Sequence, residues 1–251
     1  MVHFLKQGDL VFYVLSVLFV ATVIRSALGF GEALISVPLL AMRLPLKTAA
    51  PLAVMVSITI AALIIVQDWR KVHVRSAGWL LVPTVFGIPL GLWLLTSAHQ
   101  EAVKLLLALF IICFAAYSLA TTRLPELKHD SRPWLLSCGF FAGVLGGAYG
   151  MNGPPLAVYG AMRRWSPQHF RATLQGYFLP ASLLGLVGYF WKGLWNRELA
   201  HYYLLSLPVT LPAIWLGRFA NHRLPADSFR KYVFGGLIII GLVLAFQAIW
   251  R

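Results

Sequence analysis

Residues 10–32 read LVFYVLSVLFVATVIRSALGFGE. The nineteen residues Leu10–Leu28 hold one charge, Arg25, and as a helix they extend about 28 Å, close to the ~30 Å hydrocarbon layer of a bilayer. The run then breaks at Gly29-Phe30-Gly31 and meets a carboxylate, Glu32. A long apolar helix, a glycine break and two charges beside it are the elements of a membrane protein with a polar interior.

Seven further apolar blocks follow: Ala49–Val66, Ala77–Leu95, Ala102–Ala120, Trp134–Tyr149, Thr173–Trp191, Tyr202–Phe219 and Tyr232–Trp250. The blocks do not alternate apolar with polar residues, which disfavours barrel strands. Of 251 residues, 59% are hydrophobic and 12% charged, with a mean hydropathy of +0.77. A soluble core of this length cannot hide that much apolar surface. The expected fold class is therefore all-α, a polytopic membrane protein with about eight transmembrane helices.

The net charge of +13 does not point to nucleic acid, because the basic residues form no tract. They sit in connectors such as Arg70-Lys71, Arg163-Arg164 and Arg230-Lys231, suited to membrane lipid headgroups. Trp residues lie near block ends, as an interfacial belt requires. The first block, with Lys6 before it, imitates a signal peptide. Its continuation into Arg25 and a glycine turn argues against cleavage.

The chain reads as an N-terminal membrane repeat (1–120), a polar linker at Thr121–Pro133 and a C-terminal membrane repeat (134–251). Superposing the halves places Pro45 on Pro167, Pro83 on Pro208, Gly91 on Gly217 and Glu101 on Asp227. Two apolar pieces, Ala33–Met42 and Pro155–Met162, are too short to span and read as broken or re-entrant segments. Four spans per half make the repeats parallel; a fifth makes them inverted. With eight crossings the Lys and Arg residues divide evenly between the two faces once Arg25 is set aside, so charge gives no orientation.

A second break, Gly146-Gly147-Ala148-Tyr149-Gly150-Met151-Asn152-Gly153-Pro154-Pro155, stands in the second half where Gly29–Glu32 stands in the first. Gly lacks a Cβ and Pro lacks an N–H, so an unbroken helix is not expected through either. Paired breaks at equivalent points of two repeats mark a transport site, and a half-helix starting there offers unpaired N–H groups to an anion. The bland alternative is close helix packing through glycine.

The first-half pattern Gly29-Phe30-Gly31…Pro38-Leu39-Leu40 resembles the sulfite exporter TauE/SafE family. So does the second-half pattern Gly146–Leu156…Phe170-Arg171-Ala172-Thr173. The resemblance covers nearly the whole chain. It implies a bacterial inner-membrane, multi-pass carrier of sulfite, thiosulfate, sulfonates or related small anions. It also implies site roles for Gly29, Gly31, Gly150, Gly153, Pro154, Pro155 and Arg171. Glu32 stands where the family commonly has another glycine.

Asn152, in the second break, and Arg25 complete the candidate anion-binding set. Both Arg25 and Glu32 fall well inside the hydrocarbon zone, where ionisable residues face a cavity or a partner. Glu32 is the proton-coupling candidate; the alternative is a purely structural Arg25–Glu32 pair. For Arg171 the alternative is an interfacial anchor. The seven His residues lie in connectors or at block edges, and neither they nor the two Cys form a metal motif, so no metal and no cofactor are expected. The sequence reads as a secondary carrier of a small anion, with an intramembrane enzyme or a non-transporting membrane subunit as alternatives.

Overall fold

The computed structural model describes residues 2–68, 74–97, 99–121, 126–127, 131–165, 167–223 and 226–250. Ten helices account for most of them: α1 Val2–Leu28, α2 Glu32–Ala41, α3 Leu46–Asp68, α4 Val74–Ser97, α5 Gln100–Ala120, α6 Arg132–Tyr149, α7 Gly153–Met162, α8 Pro167–Trp191, α9 Arg197–Arg223 and α10 Ala226–Ile249. Among the described residues, five stretches are long and apolar enough to cross a bilayer unaided: Gly8–Leu28, Leu46–Val66, Ala77–Ser97, Gln100–Ala120 and Arg197–Phe219. The blocks Trp134–Tyr149, Thr173–Trp191 and Tyr232–Trp250 fall on α6, α8 and α10. Arg132 and Pro133, read from the sequence as the end of the linker, begin α6, where the missing N–H of Pro is harmless.

The direction of each helix follows from its contacts. The Tyr13 hydroxyl donates to the Leu39 carbonyl at 2.6 Å, and the Arg43 guanidinium lies 4.5 Å from the centre of the Tyr13 ring. Arg25, twelve residues beyond Tyr13, reaches back to Glu32. Thus α2 returns alongside α1, and the pair is a re-entrant hairpin with its tip at Gly29–Gly31. Lys47 at the start of α3 donates to the Thr96 carbonyl near the end of α4, so α3 and α4 are antiparallel. Gly139, Gly143 and Gly147 of α6 lie against Leu80, Thr84 and Ile88 of α4, so α6 runs parallel to α4 and opposite to α3.

The second hairpin repeats the plan. Its return arm α7 ends beside the segment that precedes α6, where the Leu127 N–H donates to the Met162 carbonyl at 2.9 Å. The two hairpins therefore point in opposite directions. Of the two arrangements the sequence left open, these contacts favour the opposed one, since α1 and α6, with α2 and α7 returning beside them, run in opposite directions.

Glycines hold the frame together. A Cβ at Gly91 of α4 would fall on the Val144 carbonyl and crowd Ala148 N of α6. A Cβ at Gly217 of α9 would fall on the Val23 carbonyl and Ser26 Cβ of α1. Small residues are what lets backbones meet where lipid offers helices no hydrophobic drive to associate. Each hairpin's long arm is thus clamped to the fourth helix of the other half.

Candidate functional site

The break in the first hairpin is made by glycine. Gly29 and Gly31 have φ of 88° and 99°, a left-handed conformation that side chains with a Cβ disfavour. Gly29 N–H closes the last turn of α1 on the Arg25 carbonyl at 2.7 Å. In the second hairpin Gly150, φ 69°, ends α6 by donating to the Gly146 carbonyl at 2.8 Å. The helices resume at Glu32 and Gly153. Glu32, Gly153, Pro154 and Pro155 therefore belong to first helical turns rather than to the breaks, because proline needs no N–H partner there.

The tips meet. Gly153 packs beneath the Phe30 ring, and Gly150 packs against Val54 of α3. Between them lies a small cavity of about 20 Å³, room for roughly one water-sized group. Its wall includes Arg25, Gly31, Glu32, Asn152 and Gly153, with Ser57 of α3 and Ser182 of α8. Ser57 is eleven residues from each end of α3, so the cavity sits near the midpoint of a full crossing.

Arg25 organises the site and is 2% exposed. Its Nη1 donates to Ser57 Oγ and lies 3.3 Å from Glu32 Oε2, and its Nη2 donates to Gln175 Oε1 at 2.7 Å. Gln175 in turn donates through Nε2 to the Gly29 carbonyl at 2.9 Å, so one side chain of α8 fixes both the guanidinium and the tip of the first hairpin. The guanidinium lies 5.1 Å from the centre of the Phe178 ring. Its Nε is buried with no hydrogen-bond partner among the described residues. Arg25 itself lines the cavity, and a buried donor without a partner costs free energy that a rearranged or liganded site can recover. Glu32, 1% exposed, accepts from Ser36 Oγ at 3.1 Å.

The two helix starts differ in what they offer. Neither Gly31 nor Asn152 makes a side-chain capping bond. The α2 start presents the N–H groups of Glu32, Ala33 and Leu34, whereas Pro154 and Pro155 remove two donors from α7. On that side Asn152, 6% exposed, supplies the amide instead, seated where a Cβ at Gly146 would otherwise be.

Of the residues singled out in the sequence, Arg25, Gly31, Glu32, Gly150, Asn152, Gly153 and Pro154 line this one cavity. Gly29 acts through its carbonyl on Gln175. Pro155, on the first turn of α7, is half-buried and lies outside the lining. Arg171 belongs to α8, but its side chain lies outside the described residues. Ser57, Gln175 and Ser182 were missed. Their signal was a neutral polar residue within an apolar block, which a search confined to charged residues passes over.

A helical, multi-pass cell-membrane protein whose two hairpin tips enclose a cavity lined by a buried Arg25–Glu32 pair and a helix start has the form of an anion carrier. The model of the sulfite exporter TauE/SafE family matches residues 14–244, and the chain belongs to that family. It is 28% identical over 182 residues to a probable sulfite/organosulfonate exporter TauE of Cupriavidus necator, covering 72% of this chain and 70% of the relative. No solved structure matches.

Proposed function

We propose that the protein is a secondary carrier that moves a sulfur oxyanion or organosulfonate across the cell membrane, and not an enzyme. The observation that carries this reading is a buried guanidinium, Arg25, in the wall of a cavity that also includes the start of α2, with its Nε lacking a partner among the described residues. A guanidinium fork matches the oxygens of a sulfite or sulfonate head. Phe178, Met151 and Leu34 give the same cavity an apolar wall for the sulfur substituent. Arg171, matched to the family motif, belongs to this proposal as a candidate substrate residue.

The halves are read as copies of one five-helix unit, 1–120 and 134–251, joined by Thr121–Pro133. In support, the Gly91 seam with Val144 and the Gly217 seam with Val23 fall at the same positions of the two units. Equivalence of opposed halves suits alternating access, since exchanging their conformations moves the opening of one central site from face to face.

The hairpins also change the orientation count. If each hairpin returns to the face it came from, then, counted over the described residues, one face receives Lys6, Arg43, Lys47, Lys104, Lys192 and Arg197. The other receives Arg75, Arg132, Arg163, Arg164, Arg171, Arg218, Arg223, Arg230 and Lys231. The richer face, with the linker, is read as cytoplasmic.

Flux of radiolabelled sulfite and thiosulfate in proteoliposomes tests the function. Saturable flux, competed by methanesulfonate, is expected. Chemical conversion of the anion without translocation would establish the enzyme reading instead.

A further inference from the structure

We propose that the Glu32 carboxylate is a tethered stand-in for the transported anion: it occupies Arg25 in the empty carrier, is displaced when the anion binds, and takes up a proton as it leaves. This rests on the anion-site reading above and assigns its coupling.

Three observations carry it. First, Glu32 is the loosest of Arg25's polar partners. At 3.3 Å it lies beyond the usual range of a charge-assisted hydrogen bond, while Ser57 and Gln175 lie closer. Displacing Glu32 therefore leaves the guanidinium aimed. Second, the carboxylate stands where an anion belongs. It is at the wall of the cavity, at the first residue of α2, where unpaired N–H groups and the helix dipole favour negative charge. The free volume left beside it suits one water-sized group, so a sulfonate head fits only once the carboxylate has moved. Third, a displaced carboxyl has a neighbour on its own helix, Ser36 Oγ, already 3.1 Å from Oε1.

The charges then fix the stoichiometry. Among the described residues that line the cavity, Arg25 and Glu32 are the charged ones. Facing elements bring neutral groups: Ser57 from α3, Asn152 from α7, Ser182 from α8. The residues of α5 and α10 clustered with α2, including Leu107, Ile111, Phe234 and Leu237, are apolar. An anion added to the neutral pair leaves one uncompensated negative charge near mid-membrane, which is costly. A proton from the aqueous face to which the site is open, placed on Glu32 as it leaves Arg25, restores neutrality. On the other face the anion departs, Glu32 releases the proton and re-forms its pair. One proton moves with each monoanion.

The test uses the full-length protein in detergent with methanesulfonate and thiosulfate, neither of which titrates near neutral pH. Calorimetric titration in two buffers of different ionisation enthalpy counts protons taken up on binding. The wild type should take up about one proton per methanesulfonate, with affinity rising about tenfold per unit fall in pH where uptake is complete. Glu32→Gln should still bind, with no proton uptake and a flat pH profile. Glu32→Asp should retain the uptake, which separates the carboxylate's role from a packing defect. Binding by wild type without proton uptake, or uptake that survives in Glu32→Gln, overturns the inference while leaving the anion site intact. If neither anion binds the wild type, the site reading itself fails, and this inference with it.

Discussion

The tips of the two hairpins have the same backbone plan and opposite inventories. The first carries Arg25 and Glu32, each at most 2% exposed, on either side of its glycine break. The second carries Gly146, Asn152 and Gly153 around its own break. Counting back from the two breaks, Gly146 stands where Arg25 stands and Gly153 where Glu32 stands. The second tip thus supplies space and a neutral amide, while the first supplies charge and N–H donors. In the proposed carrier, opposed halves supply the two faces, and unlike tips supply a single anion site rather than two competing ones.

That contrast is broken most severely at Arg25. Arg25→Gln should abolish transport and also destabilise the fold by about 3–5 kcal/mol at neutral pH and above, because Glu32 loses its partner at depth and must take up a proton to stay buried. Thermal unfolding in detergent checks the second effect. Adding Glu32→Gln should recover most of the stability and none of the transport. Recovery of both would make the pair structural only.

The seams come next. Gly91→Leu and Gly217→Leu each force a side chain into a facing backbone, and each should cost several kcal/mol. Gly235→Ala, where nothing lies within 4 Å of the new Cβ, should change stability by less than about 1 kcal/mol. Unequal effects at Gly91 and Gly217, read from denaturation midpoints, would sharpen the comparison by showing which half is the more rigid. A neutral result at both would break the claim that these glycines clamp the hairpins.

Asn152→Ala should act more mildly, weakening methanesulfonate binding about 5- to 30-fold with little loss of stability, the size of one or two hydrogen bonds. Asn152→Asp should weaken it further by placing a second carboxylate at the cavity. The smallest expected perturbation is a single Cys at Lys128 in the linker. It should leave flux unchanged and react with an impermeant thiol reagent only from the cytoplasmic face.

The spans were legible because long apolar runs without charge have one stable form in a bilayer. The breaks at Gly29 and Gly150 were legible too, because positive φ and missing donors leave a mark in residue type. The sense of the halves was not. It depends on whether ten residues such as Glu32–Ala41 go on or turn back, and the deciding contact, Tyr13 with Leu39, joins residues whose types carry no such signal. The site was half legible for a related reason. Arg25 and Glu32 are conspicuous by their cost, but Ser57 and Gln175 become partners only when α3 and α8 are brought against α1. Asn152 was found by its place in a motif, and the donors lost to Pro154 and Pro155 explain why an amide is needed there.

The central claim is that an anion is carried between these two tips by Arg25. Sulfite flux through proteoliposomes containing Arg25→Gln/Glu32→Gln tests it most directly, since that pair of changes removes the fork without leaving a buried charge. At matched incorporation and unaltered unfolding temperature, flux should fall to about 1% of wild type or less, as expected for loss of about 3 kcal/mol of binding at the site. Flux equal to wild type would place the path of the anion elsewhere.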